Sequence, residues 1–178
     1  MKKVLFVATV VKTHIMEFHI PYLKMFKEMG WETAVAARND YENPADCVIP
    51  YCDIYYNIPF ERNPLKPGNL KAYKELKHII DEGEYDIVHC HTPVGAMLTR
   101  LAAKQARRKG TKVFYTAHGF HFYKGKAHQQ STGFCIIRLR SGFPDILMFL
   151  SQSIRKTMSE QRHSKLARYA MCPVLALI

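Results

Sequence analysis

Apolar and polar positions alternate between two rhythms along this chain. Lys3 to Thr9 is a continuous apolar run, the pattern of a parallel strand covered on both faces. Ile15, Phe18, Tyr22, Phe26 and Met29 then recur at three- and four-residue steps, one face of a helix. Pro21 lies inside that pattern and predicts a kink or a first turn there. Gly30 stops the helix, and Trp31 to Ala37 reads as a second strand. The stretch from Asn39 to Arg62 is irregular, with short β-type bursts at Cys47–Ile49 and Ile54–Ile58. Leu70, Tyr73, Leu76, Lys77 and Ile80 outline a helix that Gly83 ends. Tyr85 to His91 is the next strand. Thr92-Pro93 opens the following helix as cap residue and first-turn proline. That helix runs to about Lys109, Gly110 closes it, and Val113 to Thr116 is a further strand that breaks at Gly119.

This order predicts an α/β fold: a Rossmann-like, doubly wound, mostly parallel sheet. Ligands of such sheets bind outside the carboxyl ends of the strands. Those ends carry His14, His89, His91, His118 and His121. A histidine beside a glycine, as His118 is, is by itself more often a turn residue than a catalytic one. His14 reads equally as a cleft residue and as a polar group at a helix start; His91 is balanced in the same way. His89 reads as packing, and His121 as packing or surface. A zinc site from Cys90, His89 and His91 is conceivable, but alternate positions on one strand end explain them more simply.

The charge sharpens the picture. The chain has 178 residues and a formal charge of +11. Residues 1–125 hold 18 Lys+Arg against 13 Asp+Glu, whereas residues 126–178 hold 8 against 2, so the tail is much the more basic part. A basic balance admits nucleic acid, an anionic membrane or a phosphorylated ligand, and no nucleic-acid motif favours the first. The basic helix end, Arg107 to Lys109 with Arg100 and Lys104, could touch anionic lipid or simply be solvated. Five cysteines without C-x-x-C spacing, and no export signal, fit reduced thiols and a cytoplasmic chain. No apolar run is long enough to cross a membrane. Neither G-x-G-x-x-G nor a P-loop follows the first strand.

Five segments in order carry a resemblance. They are Lys2-Lys-Val-Leu-Phe-Val-Ala-Thr, Phe18-His-Ile-Pro-Tyr, Gly30-Trp-Glu-Thr-Ala-Val-Ala-Ala, Tyr85-Asp-Ile-Val-His-Cys-His-Thr-Pro and Tyr115-Thr-Ala-His-Gly-Phe-His-Phe-Tyr-Lys-Gly. Together they resemble the amino-terminal domain of bacterial family-4 glycosyltransferases, the GT-B enzymes of capsule, exopolysaccharide and lipid-linked oligosaccharide assembly. The resemblance covers residues 1–125 and implies one half of a GT-B fold, the acceptor side. It implies retaining transfer from a nucleotide-sugar, a co-substrate, to a lipid-linked or polysaccharide acceptor, with no bound cofactor or metal. It implies a catalytic role for His118 and substrate contacts from His14, His91, Thr116, Gly119 and Phe120. Many members have two glycines after the first strand; Val11-Lys-Thr-His stands here instead, which weakens phosphate contact by this loop. A cytoplasmic chain with peripheral membrane contact, and no nucleic-acid partner, follows from the same resemblance.

Past Gly125 the resemblance stops. With codons chosen to suit, a one-frame shift from Ala127 spells Thr-Pro-Thr-Ile-Asn-Trp-Val-Leu-Tyr-Tyr-Pro-Val-Glu-Lys-Trp, which is family-like. The expectation is that residues 126–178 are an out-of-frame tail, leaving a truncated enzyme that is inactive alone and a sheet edge open beyond Thr116. The rival is a non-enzymatic Rossmann-like module that pairs with a separate donor-binding polypeptide.

Overall fold

The computed structural model describes residues 1–117 and the strand at 146–150. Six strands form one sheet: β1 (Lys3–Val10), β2 (Glu32–Arg38), β3 (Ile54–Asn57), β4 (Ile87–His91), β5 (Lys112–Ala117) and β6 (Ile146–Leu150). Their order is β3-β2-β1-β4-β5-β6. Every pairing is parallel. This is the Rossmann strand order, and its direction of winding reverses between β1 and β4.

The connecting helices divide between the two faces. The β1–β2 crossover is a π-helical turn (Val11–Ile15), then α1 (Met16–Phe18) and α2 (Ile20–Glu28). It covers Val4, Phe6, Ala8, Val35 and Ile87 with Ile15, Leu23 and Phe26. The other face carries α3 (Gly68–Gly83), α4 (Pro93–Ala102) and α5 (Lys104–Arg108). There Leu76, Ile80, Leu98 and Ala106 pack on Leu5, Val7, Val88, Cys90 and Val113. Adjacent strand residues point to opposite faces. The doubly wound fold therefore buries the continuous run Val4 to Ala8, each residue with 0% exposure.

Several local expectations are settled or changed. Pro21 takes the second of the two roles foreseen for it, a first-turn residue: it is the second residue of α2, just past the His19 junction with α1. Proline has no N–H to bond back to the carbonyl four residues before it, so the regular ladder cannot run through Glu17. Of the two β-type bursts only the second is a strand; Cys47–Ile49 is irregular. Thr92 is the N-cap residue of α4 and Pro93 its first-turn proline, as expected, but the Thr92 side chain makes no capping hydrogen bond. Its hydroxyl donates back to the His91 carbonyl, and its φ is +60°. Gly83 is the last residue of α3, and the left-handed residue is Glu84. What Gly83 supplies is closeness, since a Cβ there would lie 2.2 Å from the Tyr85 ring. The helix expected to run to Lys109 breaks at Ala103. The sheet edge expected to stay open beyond β5 carries β6, paired from Val113↔Ile146 to Ala117↔Leu150.

Candidate functional site at the β1–β4 crevice

The crevice where the winding reverses is flanked by the segment leaving β1 and by the end of β4. Each contributes histidine. β4 residues alternate between faces, so Ile87, His89 and His91 share the α1/α2 face while Val88 and Cys90 join the opposite core. Register sets His91 beside Thr116 of β5, and Phe6 of β1 beside His89.

The β1 side is built by the π-helical turn. His14 lies within it, and His19 follows at the junction between α1 and α2, where its N–H donates to the Ile15 carbonyl at 2.9 Å. The His14 ring lies 5.2 Å from that of His19 and 5.9 Å from that of His91. His19 and His91 are closer, 3.7 Å between ring centroids, and each is 1% exposed. His14 is half-buried. Nitrogens of all three rings lie within 4.8 Å of one another. Phe6, fully buried, forms the floor: its ring is parallel to that of His91 at 6.1 Å and lies 5.9 Å from that of His19. His89 stands behind, 4.2 Å from His91, and its Nε2 shares a 2.8 Å hydrogen bond with Thr116 Oγ1.

The backbone N–H groups after β1 are already occupied. The Asp40 carboxylate, at the end of β2, accepts from the Lys12 N–H at 2.6 Å and from the Thr13 N–H at 3.4 Å. It also accepts from Thr13 Oγ1 at 3.1 Å. In nucleotide-binding relatives of this fold, N–H groups at this turn receive phosphate. Here a carboxylate holds that place, which agrees with the missing glycines.

On the other flank, Gly95 lets α4 approach β1. A Cβ at Gly95 would stand 2.8 Å from Thr92 Oγ1 and 3.6 Å from backbone atoms of Ala8 and Thr9. The tight β4–α4 turn that fixes His91 thus depends on a small residue in α4 and a non-glycine residue at positive φ.

Of the sequence-derived candidates, His14 and His91 converge, and Thr116 joins through His89. His118, Gly119 and Phe120, with His121, lie outside the described residues. Cys90 is removed from any histidine group: it is fully buried on the opposite face, its thiol bonded to the Phe114 carbonyl at 3.1 Å. Arg100 is not part of a lipid-facing surface, being 4% exposed, and burial lowers its pKa. Lys104, Arg108 and Lys109 do remain exposed. The residue missed in the sequence is His19. Its signal was the five-residue spacing from His14 across a proline-disrupted helix, which a 3.6-residue reading places off the face.

Comparison with known proteins agrees with this fold. Residues 3–161 match the family described as "Glycosyl transferase 4-like". Over 124 residues the chain is 58% identical to a Bacillus subtilis (strain 168) protein described as "Putative glycosyltransferase EpsD", covering 70% of this chain and 31% of that protein. Among solved structures, a UDP-N-acetylglucosamine 2-epimerase superposes with a TM-score of 0.59 at 16% identity, covering 92% of this chain and 46% of the other. MurG of Acinetobacter baumannii does so with a TM-score of 0.54 at 16% identity, covering 85% and 41%. At such identity the superpositions show the fold. This chain spans less than half the length of each of these proteins. The family match covers most of the chain, on a strand order that suits it, and leads to one conclusion: the chain belongs to the Glycosyl transferase 4-like family.

Proposed function

We propose that the β1–β4 crevice is the acceptor-side wall of a sugar-transfer site. In this reading a sugar passes, with retained anomeric configuration, from a nucleotide diphosphate to a lipid-linked or polysaccharide acceptor. The observation that carries it is the convergence of His14 and His91 at the switch point of a family-4 chain. Imidazoles there can hold hydroxyls of the acceptor sugar, and Thr116 steadies the array through His89. His118, by the resemblance, positions the donor sugar and steadies charge on the departing phosphate. Gly119 and Phe120 follow as substrate contacts by the same resemblance.

Two features support a lipid-linked acceptor. The rings of Phe18 and Tyr22, 47% and 45% exposed, flank the histidines. The cations Lys104, Arg108 and Lys109 suit peripheral contact with an anionic membrane at its cytoplasmic face. Among the described residues no helix is long and apolar enough to cross one.

The Asp40 carboxylate at the β1 turn argues that donor phosphates are held elsewhere, in the donor half of a GT-B pair. Residues 1–125 alone would then hold acceptor but not close over a nucleotide-sugar, and positioning supplies much of the rate of such reactions. The chain's inactivity by itself is part of the same proposal. The test is binding by the 178-residue chain. A detergent-solubilised lipid-linked glycan should bind, with affinity falling about tenfold, the worth of one good hydrogen bond, in His91→Ala. A nucleotide-sugar panel should show no transfer. Sugar transfer by the chain alone, or no retention of any acceptor glycan, would overturn the reading.

A further inference from the structure

We propose that His14, His19 and His91 form a binding site for a divalent transition-metal ion of the zinc type. Each offers one ring nitrogen, and those nitrogens already lie within 4.8 Å of one another. Two nitrogens on a tetrahedral ion with bonds of about 2.0–2.1 Å stand about 3.3 Å apart. The group therefore needs contraction by roughly an ångström or more, within reach of side-chain torsions alone. The ring planes cross at 36° to 49°, so each imidazole must turn to aim a lone pair at the ion. The Cβ–Cγ torsion of histidine is broad and permits that.

The donor set selects the metal. Three neutral imidazoles, with no carboxylate or thiolate grouped with them among the described residues, suit zinc, copper, nickel or cobalt and do not suit magnesium or calcium. Three protein ligands leave a fourth position for water. The scaffold supports the set: His19 and His91 are 1% exposed and rest on the fully buried Phe6, while His14, half-buried, is the member of the set in contact with solvent. The ligands come from two elements, the β1–α2 connection and the end of β4. A bound ion would clip these together across the switch point. This goes beyond the transfer reaction, which by the family resemblance needs no metal.

The test uses the full 178-residue chain, stripped with a chelator and titrated with Zn²⁺ against a chromogenic competitor. One ion should bind per chain. His14→Ala, His19→Ala and His91→Ala should each weaken binding by at least about 100-fold, the upper end of what loss of a mere outer-sphere partner costs. His78→Ala, His128→Ala and His163→Ala should leave it unchanged. Zn²⁺ should raise the melting temperature of the parent chain and not of the three ligand variants. Should a ligand variant fail to fold, the parent chain decides: substoichiometric Cu²⁺ must broaden the imidazole resonances of His14, His19 and His91 first. No bound Zn²⁺, binding that survives all three substitutions, or broadening centred on other histidines would overturn the site.

Discussion

Gly95→Ala tests how the end of β4 is held. In an unstrained helix this change stabilises by about 0.5–1 kcal/mol, because glycine loses more backbone freedom on folding. Here the new methyl would lie 2.8 Å from Thr92 Oγ1, closer than real Cβ contacts come. Thr92 cannot yield cheaply. Its hydroxyl is bonded to the His91 carbonyl, and its backbone, at φ +60° and ψ 146°, is near a region that essentially only glycine enters. Rotating the side chain forfeits a hydrogen bond worth about 1 kcal/mol, and overpacking adds about 1–3 kcal/mol. The penalty exceeds the entropic gain, so Gly95→Ala should destabilise by about 1–2 kcal/mol. In a Thr92→Gly background the clash is gone and the nearest remaining contacts, 3.6 Å to Ala8 and Thr9, are ordinary. There the same change should stabilise by about 0.5–1 kcal/mol. The sign reversal, a coupling of about 2 kcal/mol, is read from urea unfolding of the four proteins at a common m-value. If Gly95→Ala stabilises the parent chain, or has the same effect in both backgrounds, the account of this turn is wrong.

Other perturbations address the remaining parts of the site and its frame. Asp40→Ala removes the acceptor for Lys12 N–H and Thr13 N–H and should cost about 1–2 kcal/mol, as loss of a capping side chain does, measured by the same unfolding assay. Asp53 has its pKa lowered, chiefly by the Lys27 ammonium and next by the Thr33 N–H. A depressed carboxylate stabilises above its unfolded value, here 3.8, and the contribution is lost as pH falls through the folded value. Asp53→Asn should therefore lower stability at neutral pH, with the difference from the parent closing below that range; a difference that persists at the most acid pH contradicts this. Burial pushes the Cys52 thiol up to about 11 from 9.0. Its alkylation near neutral pH should run about 100-fold slower folded than in urea, followed by mass spectrometry. Phe6→Ala takes away the buried floor under His19 and His91 and should cost about 3–5 kcal/mol by thermal or urea unfolding.

Much of the frame is written in local pattern. Continuous apolar runs mark β1, β2 and β4 because each is buried on both faces, whereas β3, a half-buried edge strand, shows only the short burst at Ile54. The strand order, and with it the crevice, follows from βαβ handedness and is not visible in any one segment. β6 is a different case. Ile146 to Leu150 is a five-residue apolar run, the same mark as β1, but it lies within the basic stretch from 126, whose composition hid it. The site divides in the same way. His14 and His91 are legible as strand-end residues, whereas His19 sits at a break between two helices, five residues from His14, that helical periodicity does not mark. Thr92 takes the expected cap position without a capping side-chain bond because a threonine can bond its own neighbourhood instead of the helix N–H groups. Arg100 looked like part of a basic surface because four neighbouring cations are exposed or half-exposed; it lies in α4 among that helix's buried positions, whereas those four follow Ala103.

The central claim is that residues 1–125 are a working acceptor half. The most direct test replaces the matching 124-residue segment of EpsD with residues 1–125 and measures sugar transfer from a nucleotide-sugar panel to lipid-linked acceptor, beside EpsD itself. The account predicts transfer by the chimera, with retained anomeric configuration, and its loss by about 100-fold or more in His118→Ala. A folded chimera that binds nucleotide-sugar yet transfers nothing where EpsD does, or one indifferent to His118→Ala, would contradict it.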